Sequence, residues 1–135
     1  DRKQIILQND IQQVPLLAQF VDEVCEAAGI DMATAMKLNL AIEEAVVNVM
    51  NYAYPQDTVG DIKIEAGDDN LLEFIISDTG TPFDPTTKAE VDTTLSAEER
   101  PIGGLGIHLV RNIMDSINYE RANGKNILAL IKKLK

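Results

Sequence analysis

The sequence is poor in the residues that build disulfide frameworks and histidine sites. It contains one cysteine, Cys25, and one histidine, His108. A single cysteine excludes a disulfide within the chain and is typical of a reducing compartment, so we expect a cytoplasmic protein. A single histidine excludes a histidine-cluster metal site and leaves no convincing Ser–His–Asp arrangement. We interpret Cys25 as a core residue and His108 as a helix-packing residue.

Basic residues and long apolar runs are also scarce. The 12 Lys and Arg residues face 22 Asp and Glu residues, for a formal net charge of −10. That charge repels nucleic acid and anionic lipid, so we expect no direct nucleic-acid partner. No apolar run approaches the length of a membrane span and no signal peptide is visible, so we expect no membrane association. An acidic surface suits a basic protein partner.

The pattern of apolar residues predicts one α+β domain over residues 1–135. We expect a two-layer sandwich, with a mostly antiparallel mixed sheet and three helices on one face. The predicted strands are Arg2–Gln8, Asp61–Ala66, Leu71–Ser77, Ser116–Ala122 and Asn126–Lys132, with hairpin turns at Gly67–Asn70 and Asn123–Gly124. The predicted helices are Val14–Ala28, Met32–Tyr52 and Gly104–Met114, with Pro15 in a first turn, Gly29 as a stop and Asp31 as a cap. The second helix includes the apolar positions Met32, Met36, Leu40, Val47 and Met50.

The second helix carries a polar face with possible chemistry. Glu44 and Asn48 are four residues apart and share one face, which Asn51 extends. An Asn oxygen is a suitable Mg²⁺ ligand, and a Glu one turn away is a suitable general base. Glu43 lies about 100° around the helix and is the weaker candidate. The alternative is a solvated face with an ordinary Glu–Asn hydrogen bond.

The segment Asp78–Asp84 follows a predicted strand directly. A carboxylate at that point can accept a hydrogen bond from an exocyclic amine, and Gly80 leaves room for a flat base. Phe83 is placed to pack underneath. The alternative is a plain turn, since Asp, Thr, Gly and Pro are all turn formers. The polar segment from 78 to about 103 is long enough to be a lid or a binding loop.

A glycine cluster, Gly103-Gly104-Leu105-Gly106, opens the third helix. Glycines let successive backbone N–H groups turn toward an anion, and a helix N-terminus adds partial positive charge. Arg100, just before the cluster, is a candidate phosphate contact. The alternative is a hinge or the start of a helix. The cluster is neither a dinucleotide fingerprint nor a Walker loop.

Together the three motifs resemble the nucleotide boxes of the GHKL ATPase superfamily, which has the Bergerat fold. The matching pieces are Glu44–Asn48, Asp78–Phe83 and Gly103–Gly106, in that order. Within the superfamily the chain is most similar to small bacterial serine/threonine kinases that act as anti-sigma factors in partner switching. The phrases Asn48–Tyr54 and Arg100–Ile107 also look like those kinases.

The resemblance implies ATP and Mg²⁺ as cofactors and assigns roles to residues. Asn48 would ligate Mg²⁺, Glu44 would be the general base, and Asp78 would bind the adenine amino group beside Gly80. Residues 85–102 would form the ATP lid. Gly104 and Gly106 would cradle the phosphates. The nucleotide would also be bound by other residues within or near the motifs: Asn51, Arg100, Gly103 and Leu105. Where the superfamily often has a Thr supporting the Asp, this chain has Asn126, to which no role is assigned.

The resemblance also implies partners. Such a kinase phosphorylates a Ser or Thr of a STAS-type antagonist protein, holds a sigma factor inactive, and works as a homodimer. Two alternatives stay open: an ATP-binding partner-switch module without catalysis, and the catalytic domain of a sensor histidine kinase.

Overall fold

A computed structural model describes residues 2–55, 57–87 and 106–134 of the chain. The predicted sequence of strands and helices is observed, with small changes at the ends. The strands are β1 (Arg2–Gln8), β2 (Asp61–Asp68), β3 (Leu71–Asp78), β4 (Ser116–Ala122) and β5 (Lys125–Lys133). The helices are α1 (Val14–Ala27), α2 (Met32–Tyr52) and α3 (Gly106–Ile113), with short 3₁₀ turns at Ile11–Gln13 and Pro85–Thr87.

The helix boundaries follow from local chemistry. Gly29 adopts a φ of 72°, and the amides of Gly29 and Ile30 donate to the carbonyls of Glu26 and Cys25, which is the Schellman arrangement. Asp31 then caps α2 by accepting the amide of Thr34 at 3.1 Å. That hydrogen bond lowers the pKa of the Asp31 carboxyl below its ordinary value. The predicted stop and cap are therefore both confirmed.

The five strands form one sheet in the order β1-β2-β3-β5-β4. Every strand pairing in the described ranges is antiparallel, so the α+β class is confirmed and the sheet is not mixed there. Gly67 and Asp68 continue β2 instead of opening the turn, and Asn70 takes the left-handed conformation with a φ of 65°. At the other hairpin Asn123 and Gly124 have φ values of 55° and 75°, as a type I′ turn requires.

The core lies between the helices and one face of the sheet. It is formed by alternate strand residues and by the inward faces of α1 and α2, with Phe74, Ile62, Ile64, Leu38, Ile42 and Val46 among its largest fully buried side chains. Cys25 is buried there as predicted. Burial, with a smaller contribution from the charge of Asp22, raises the pKa of its thiol to about 11. Cys25 is therefore a protonated packing residue at neutral pH.

Three of the apolar positions named on α2 do not face this core. Met32, Met36 and Leu40 are 80%, 64% and 54% exposed. Their four-residue spacing puts them on one stripe, about 200° around the helix from the stripe of Leu38 and Ile42 that faces the sheet. Hydrophobicity alone does not distinguish the two stripes. Within the ranges that the structure describes, no helix is long and apolar enough to cross a membrane.

Candidate functional site

The face of α2 that carries Glu44 and Asn48 forms one side of the candidate site. Residues four apart on a helix are rotated by about 40°, so Glu44, Asn48 and Tyr52 form one stripe. Asn48 is only 4% exposed. Among the described residues, its Oδ1 is the one fully buried side-chain polar atom without a hydrogen-bond partner. A buried acceptor without a donor costs about 1–3 kcal/mol, so this atom is suited to a ligand from outside the protein.

The orphaned oxygen of Asn48 fits the chemistry of Mg²⁺, which prefers hard oxygen ligands. Within residues 2–55, 57–87 and 106–134, no group of three or more Asp, Glu, His or Cys side chains is arranged to hold a metal ion. A cation beside Asn48 therefore needs most of its ligands from water and from a bound phosphate. That is the usual way in which proteins hold Mg²⁺ together with a nucleotide.

Asp78 ends β3 and forms a second part of the site. Its side chain lies on the sheet face that packs against the helices and is 4% exposed. Oδ1 accepts two hydrogen bonds, from the backbone amide of Gly80 at 2.8 Å and from Nδ2 of Asn126 at 2.9 Å. Burial raises the pKa of the Asp78 carboxyl above its ordinary value, although both hydrogen bonds and the charge of Arg121 act in the opposite direction.

The loop after Asp78 is fastened to the C-terminal end of α2. The carbonyl of Ala53 accepts both the backbone amide of Thr81 at 2.7 Å and its hydroxyl at 3.0 Å. A Cβ on Gly80 would lie 2.3 Å from the same carbonyl oxygen. Gly80 is therefore required by the close approach of the loop to α2. This is a different reason from the one that the sequence suggested, which was room for a base.

Tyr54 ties the same two elements to the start of β2. Its hydroxyl donates to the carbonyl of Asp61 at 2.6 Å and accepts the amide of Thr79 at 3.2 Å. Its ring lies where a Cβ on Gly60 would be, at 2.1 Å. Sequence reasoning did not assign Tyr54 a role, because its partners are known only once the strands are placed.

An aromatic pair links the Glu44–Asn48 face to the loop. The rings of Tyr52 and Phe83 stack with centroids 5.5 Å apart and an angle of 26° between their planes. Partial burial, and then the negative charge of Glu44, raise the pKa of the Tyr52 hydroxyl above its ordinary value. Phe83 packs against Tyr52 and against the core, and sequence reasoning missed Tyr52. The signal that could have identified Tyr52 is its spacing of four residues from Asn48.

Within the described ranges, no side-chain hydrogen bond joins the other predicted site residues to Asn48 or Asp78. Asn51 is exposed and lines an open depression of about 600 Å³ with Asn9, Pro55 and Asp57. Glu43 is exposed, whereas Glu44 is half-buried. Gly106 is the first residue of α3. The remaining positions lie outside the described residues: Arg100, Gly103, Gly104, Leu105 and the lid after Thr87.

This fold and this arrangement of polar groups define the class of the protein. The sequence matches the histidine kinase-like ATPase domain family over residues 7–132. Because that match spans nearly the whole chain, the protein belongs to this family, and the expected GHKL membership is confirmed.

The particular relatives are bacterial kinases. The chain is 35% identical over 96 residues to the serine-protein kinase RsbW of Bacillus thuringiensis strain Al Hakam, an alignment that covers 67% of this chain and 59% of that protein. It is 31% identical over 110 residues to RsbW of Listeria monocytogenes serovar 1/2a, covering 78% and 70%. The chain thus spans about three fifths of the length of the Bacillus relatives.

Solved structures show the same fold. The RsbU and RsbW domains of Rv1364c from Mycobacterium tuberculosis match with a TM-score of 0.69 and 16% identity, over 98% of this chain and 32% of that one. The histidine kinase domain of the blue-light activated histidine kinase EL346 from Erythrobacter litoralis matches with a TM-score of 0.54 and 14% identity, over 90% and 60%.

Proposed function

We propose that the protein is an ATP-dependent serine/threonine kinase that acts as an anti-sigma factor. It phosphorylates a STAS-type antagonist protein and, when not engaged there, holds a sigma factor inactive. The observation that carries the chemistry is the orphaned, buried Oδ1 of Asn48 one helical turn from Glu44. The relatives are named serine-protein kinases, which supports a Ser or Thr hydroxyl as the acceptor of the phosphoryl group.

In the proposed reaction each described residue has one task. The hydroxyl oxygen of the acceptor attacks the γ-phosphorus of ATP, the bond to the β,γ-bridging oxygen breaks, and ADP leaves, while Glu44 accepts the hydroxyl proton. Asn48 holds Mg²⁺, which when bound neutralises phosphate charge. Asp78 accepts a hydrogen bond from the adenine amino group, and Tyr52 with Phe83 forms an apolar wall between the two halves of the site.

The residues outside the described ranges complete the proposal from the sequence. Gly103, Gly104, Leu105 and Gly106 bind the phosphates, Arg100 contributes a positive charge, and residues 85–102 close over the nucleotide as a lid. Asn51 remains a proposed nucleotide-site residue because it lies about two helical turns after Glu44, on the same face of α2. These assignments rest on the resemblance of the glycine cluster to the family motif.

Phosphoryl transfer to a purified STAS-domain protein in the presence of ATP and Mg²⁺ tests the function. We expect acid-stable phosphate on a Ser or Thr of that protein. Acid-labile phosphate on a histidine would instead indicate a sensor-kinase catalytic domain. Tight ATP binding with no phosphorylated partner would indicate a binding module, and either result would overturn the kinase proposal.

Replacing Asn48 with leucine separates its proposed metal role from the fold. The orphaned oxygen does not stabilise the metal-free protein, so the free energy of unfolding in urea is expected to stay within about 1 kcal/mol of wild type or to rise. The affinity for ATP in the presence of Mg²⁺ should fall at least about tenfold. Calorimetric titration with Mg²⁺ or with EDTA measures this. Asn112→Leu, an exposed position near the end of α3, is the control, and unchanged Mg²⁺-dependent affinity would remove Asn48 from the metal site.

The proposed homodimer fits the outer face of the sheet. The face turned away from the helices carries Ile6 on β1, Ile75 on β3, and Ile127 and Ile131 on β5. Ile6 is 57% exposed. Lys63, Glu65 and Glu73 lie beside these isoleucines on the same face. A two-fold contact would therefore bury the isoleucines among charges that can pair across the interface. Ile75→Lys is expected to weaken the dimer at least about tenfold in sedimentation velocity, because a charge would be buried in the contact. An unaffected dimer would place the interface elsewhere.

A further inference from the structure

A groove between α2 and α3 lies apart from the candidate nucleotide site. Its volume is about 350 Å³. The groove is lined by Lys37 and Leu40 from α2, by Leu109 and Ile113 from α3, and by Lys132 from β5. None of these residues is a predicted nucleotide-site residue, so the groove is a separate feature of the surface. Its floor is apolar and two of its lining residues are lysines.

The apolar surface of the groove continues along α2 as an exposed stripe. Leu40, Met36 and Met32 follow one another at four-residue spacing and share one side of the helix. Each of the three side chains is more than half exposed. The stripe is about 12 Å long, which is a little over two helical turns. Methionine adapts its shape to an apolar partner, so a stripe of this length suits a segment of another protein better than a small ligand.

The charged side chains that line the groove are basic. Lys37 is exposed, and Lys132 is half-buried with its Nζ 3.9 Å from Oδ2 of Asp115. Arg111 on α3 is turned away to the carbonyl of Thr86. No Asp or Glu of the described ranges lines the groove, although the chain has a formal net charge of −10. The groove is therefore complementary to a negatively charged partner.

We infer that this groove and the stripe beside it form a docking site for an acidic amphipathic helix of a partner protein. The apolar face of such a helix packs on Leu40, Leu109 and Ile113, and its carboxylates pair with Lys37 and Lys132. A second copy of the chain fits poorly, because a two-fold contact would bring the same lysines of both copies together. The net charge of −10 opposes an anionic membrane. Docking here requires neither ATP nor phosphoryl transfer.

Binding of designed peptides tests the docking site. The probe is a fluorescent peptide of about 18 residues, five helical turns, with leucine on one face and glutamate on the other. One matched peptide carries lysine in place of every glutamate, and a second scrambles the acidic sequence so that no apolar face remains. Fluorescence anisotropy measures the dissociation constants. We expect the acidic amphipathic peptide to bind at least about tenfold more tightly than either matched peptide.

Variants of the protein locate the contact. Leu40→Glu should weaken binding of the acidic peptide at least about tenfold, because it places a carboxylate in the apolar contact. Lys37→Glu should weaken binding of the acidic peptide and strengthen binding of the lysine peptide. Lys125→Glu makes the same charge change on the exposed turn between β4 and β5 and should leave both affinities within about twofold at physiological salt. Thermal melting reports the fold, and if Leu40→Glu does not fold, Met36→Glu decides.

Three results would overturn the docking site. The first is equal binding of the three peptides by the wild-type protein, or no binding of any. The second is binding of the acidic peptide that survives Leu40→Glu and Met36→Glu. The third is another occupant: binding to phosphatidylglycerol vesicles that Leu40→Glu abolishes would assign the groove to a membrane, and self-association that Leu40→Glu abolishes in sedimentation velocity would assign it to a second copy.

Discussion

Glu44→Gln should reduce phosphoryl transfer about 100-fold or more while leaving ATP affinity within a few-fold of wild type. Glutamine has the shape of glutamate and can still donate or accept a hydrogen bond, but it cannot take a proton from the attacking hydroxyl. Loss of a positioned general base typically costs two to four orders of magnitude in rate. The measurement is initial transfer rate to the antagonist protein, with the dissociation constant for ATP determined separately.

Glu43→Gln is the matched control for this experiment. Glu43 precedes Glu44 on α2, and its replacement by glutamine removes the same charge. Glu43 is exposed and points about 100° around the helix from Glu44. We expect its variant to retain the wild-type rate. Equal loss in both variants would mean that negative charge on α2, and not proton transfer, supports the reaction. Full activity of Glu44→Gln would exclude Glu44 as the base.

Asp78→Asn should weaken ATP binding about tenfold to a hundredfold. The new amide can keep its oxygen toward Gly80 and Asn126, which leaves a nitrogen donor facing the amino group of adenine. Two donors then oppose each other where a charge-assisted hydrogen bond stood, and such bonds contribute about 1.5–3 kcal/mol. GTP should lose less or gain, because its carbonyl can accept from the new amide. Calorimetry with both nucleotides measures the change.

The pH dependence of ATP binding provides a second readout for Asp78. Ionised Asp78 is a stronger acceptor for the adenine amine than the protonated carboxyl, so affinity should fall as pH falls through the raised pKa of Asp78. This pH dependence should be absent in Asp78→Asn and retained in Asp68→Asn, a control at the exposed end of β2. ATP affinity that is unchanged in Asp78→Asn would mean that the base binds elsewhere.

The same raised pKa fixes the sign of the effect of Asp78 on stability. A carboxyl whose pKa is higher in the folded than in the unfolded state stabilises the fold when protonated. That contribution is complete below the unfolded-state value of 3.8 and is lost as pH rises through the folded-state pKa. Above the folded-state pKa the ionised Asp78 costs stability, so in that pH range Asp78→Asn should unfold at the same or a higher urea concentration than wild type. A site residue that lowers stability is typical of function.

Local signals in the sequence predicted much of the fold and some of the geometry of the candidate site. Gly29 and Asp31 set the helix boundary through their own backbone and side-chain chemistry, and Asn123–Gly124 sets its hairpin in the same way. Glu44 and Asn48 could be placed together because helical spacing alone determines that they share a face.

What the sequence could not provide depends on contacts between distant segments. The exposure of Met32 and Met36 is decided by which stripe of α2 meets the sheet. The need for glycine at position 80 arises from Ala53, 27 residues earlier. The hydrogen bonds of Asn126 to Asp78 and Tyr119 require the register of β3 against β5 and the neighbouring strand β4. A pattern in a short stretch of sequence cannot predict such contacts, because the residues involved are far apart along the chain.

The position of β5 in the sheet has a consequence for the growing chain. β5 is the last of the five strands in sequence, yet it lies between β3 and β4. Until the ribosome has released Asn126 and the residues around it, β3 has no partner on that side and Asp78 lacks the hydrogen bond from the side chain of Asn126. The proposed base pocket would therefore be completed only when the last strand of this domain has been synthesised, and we expect a nascent chain to bind no nucleotide there before the sheet has closed.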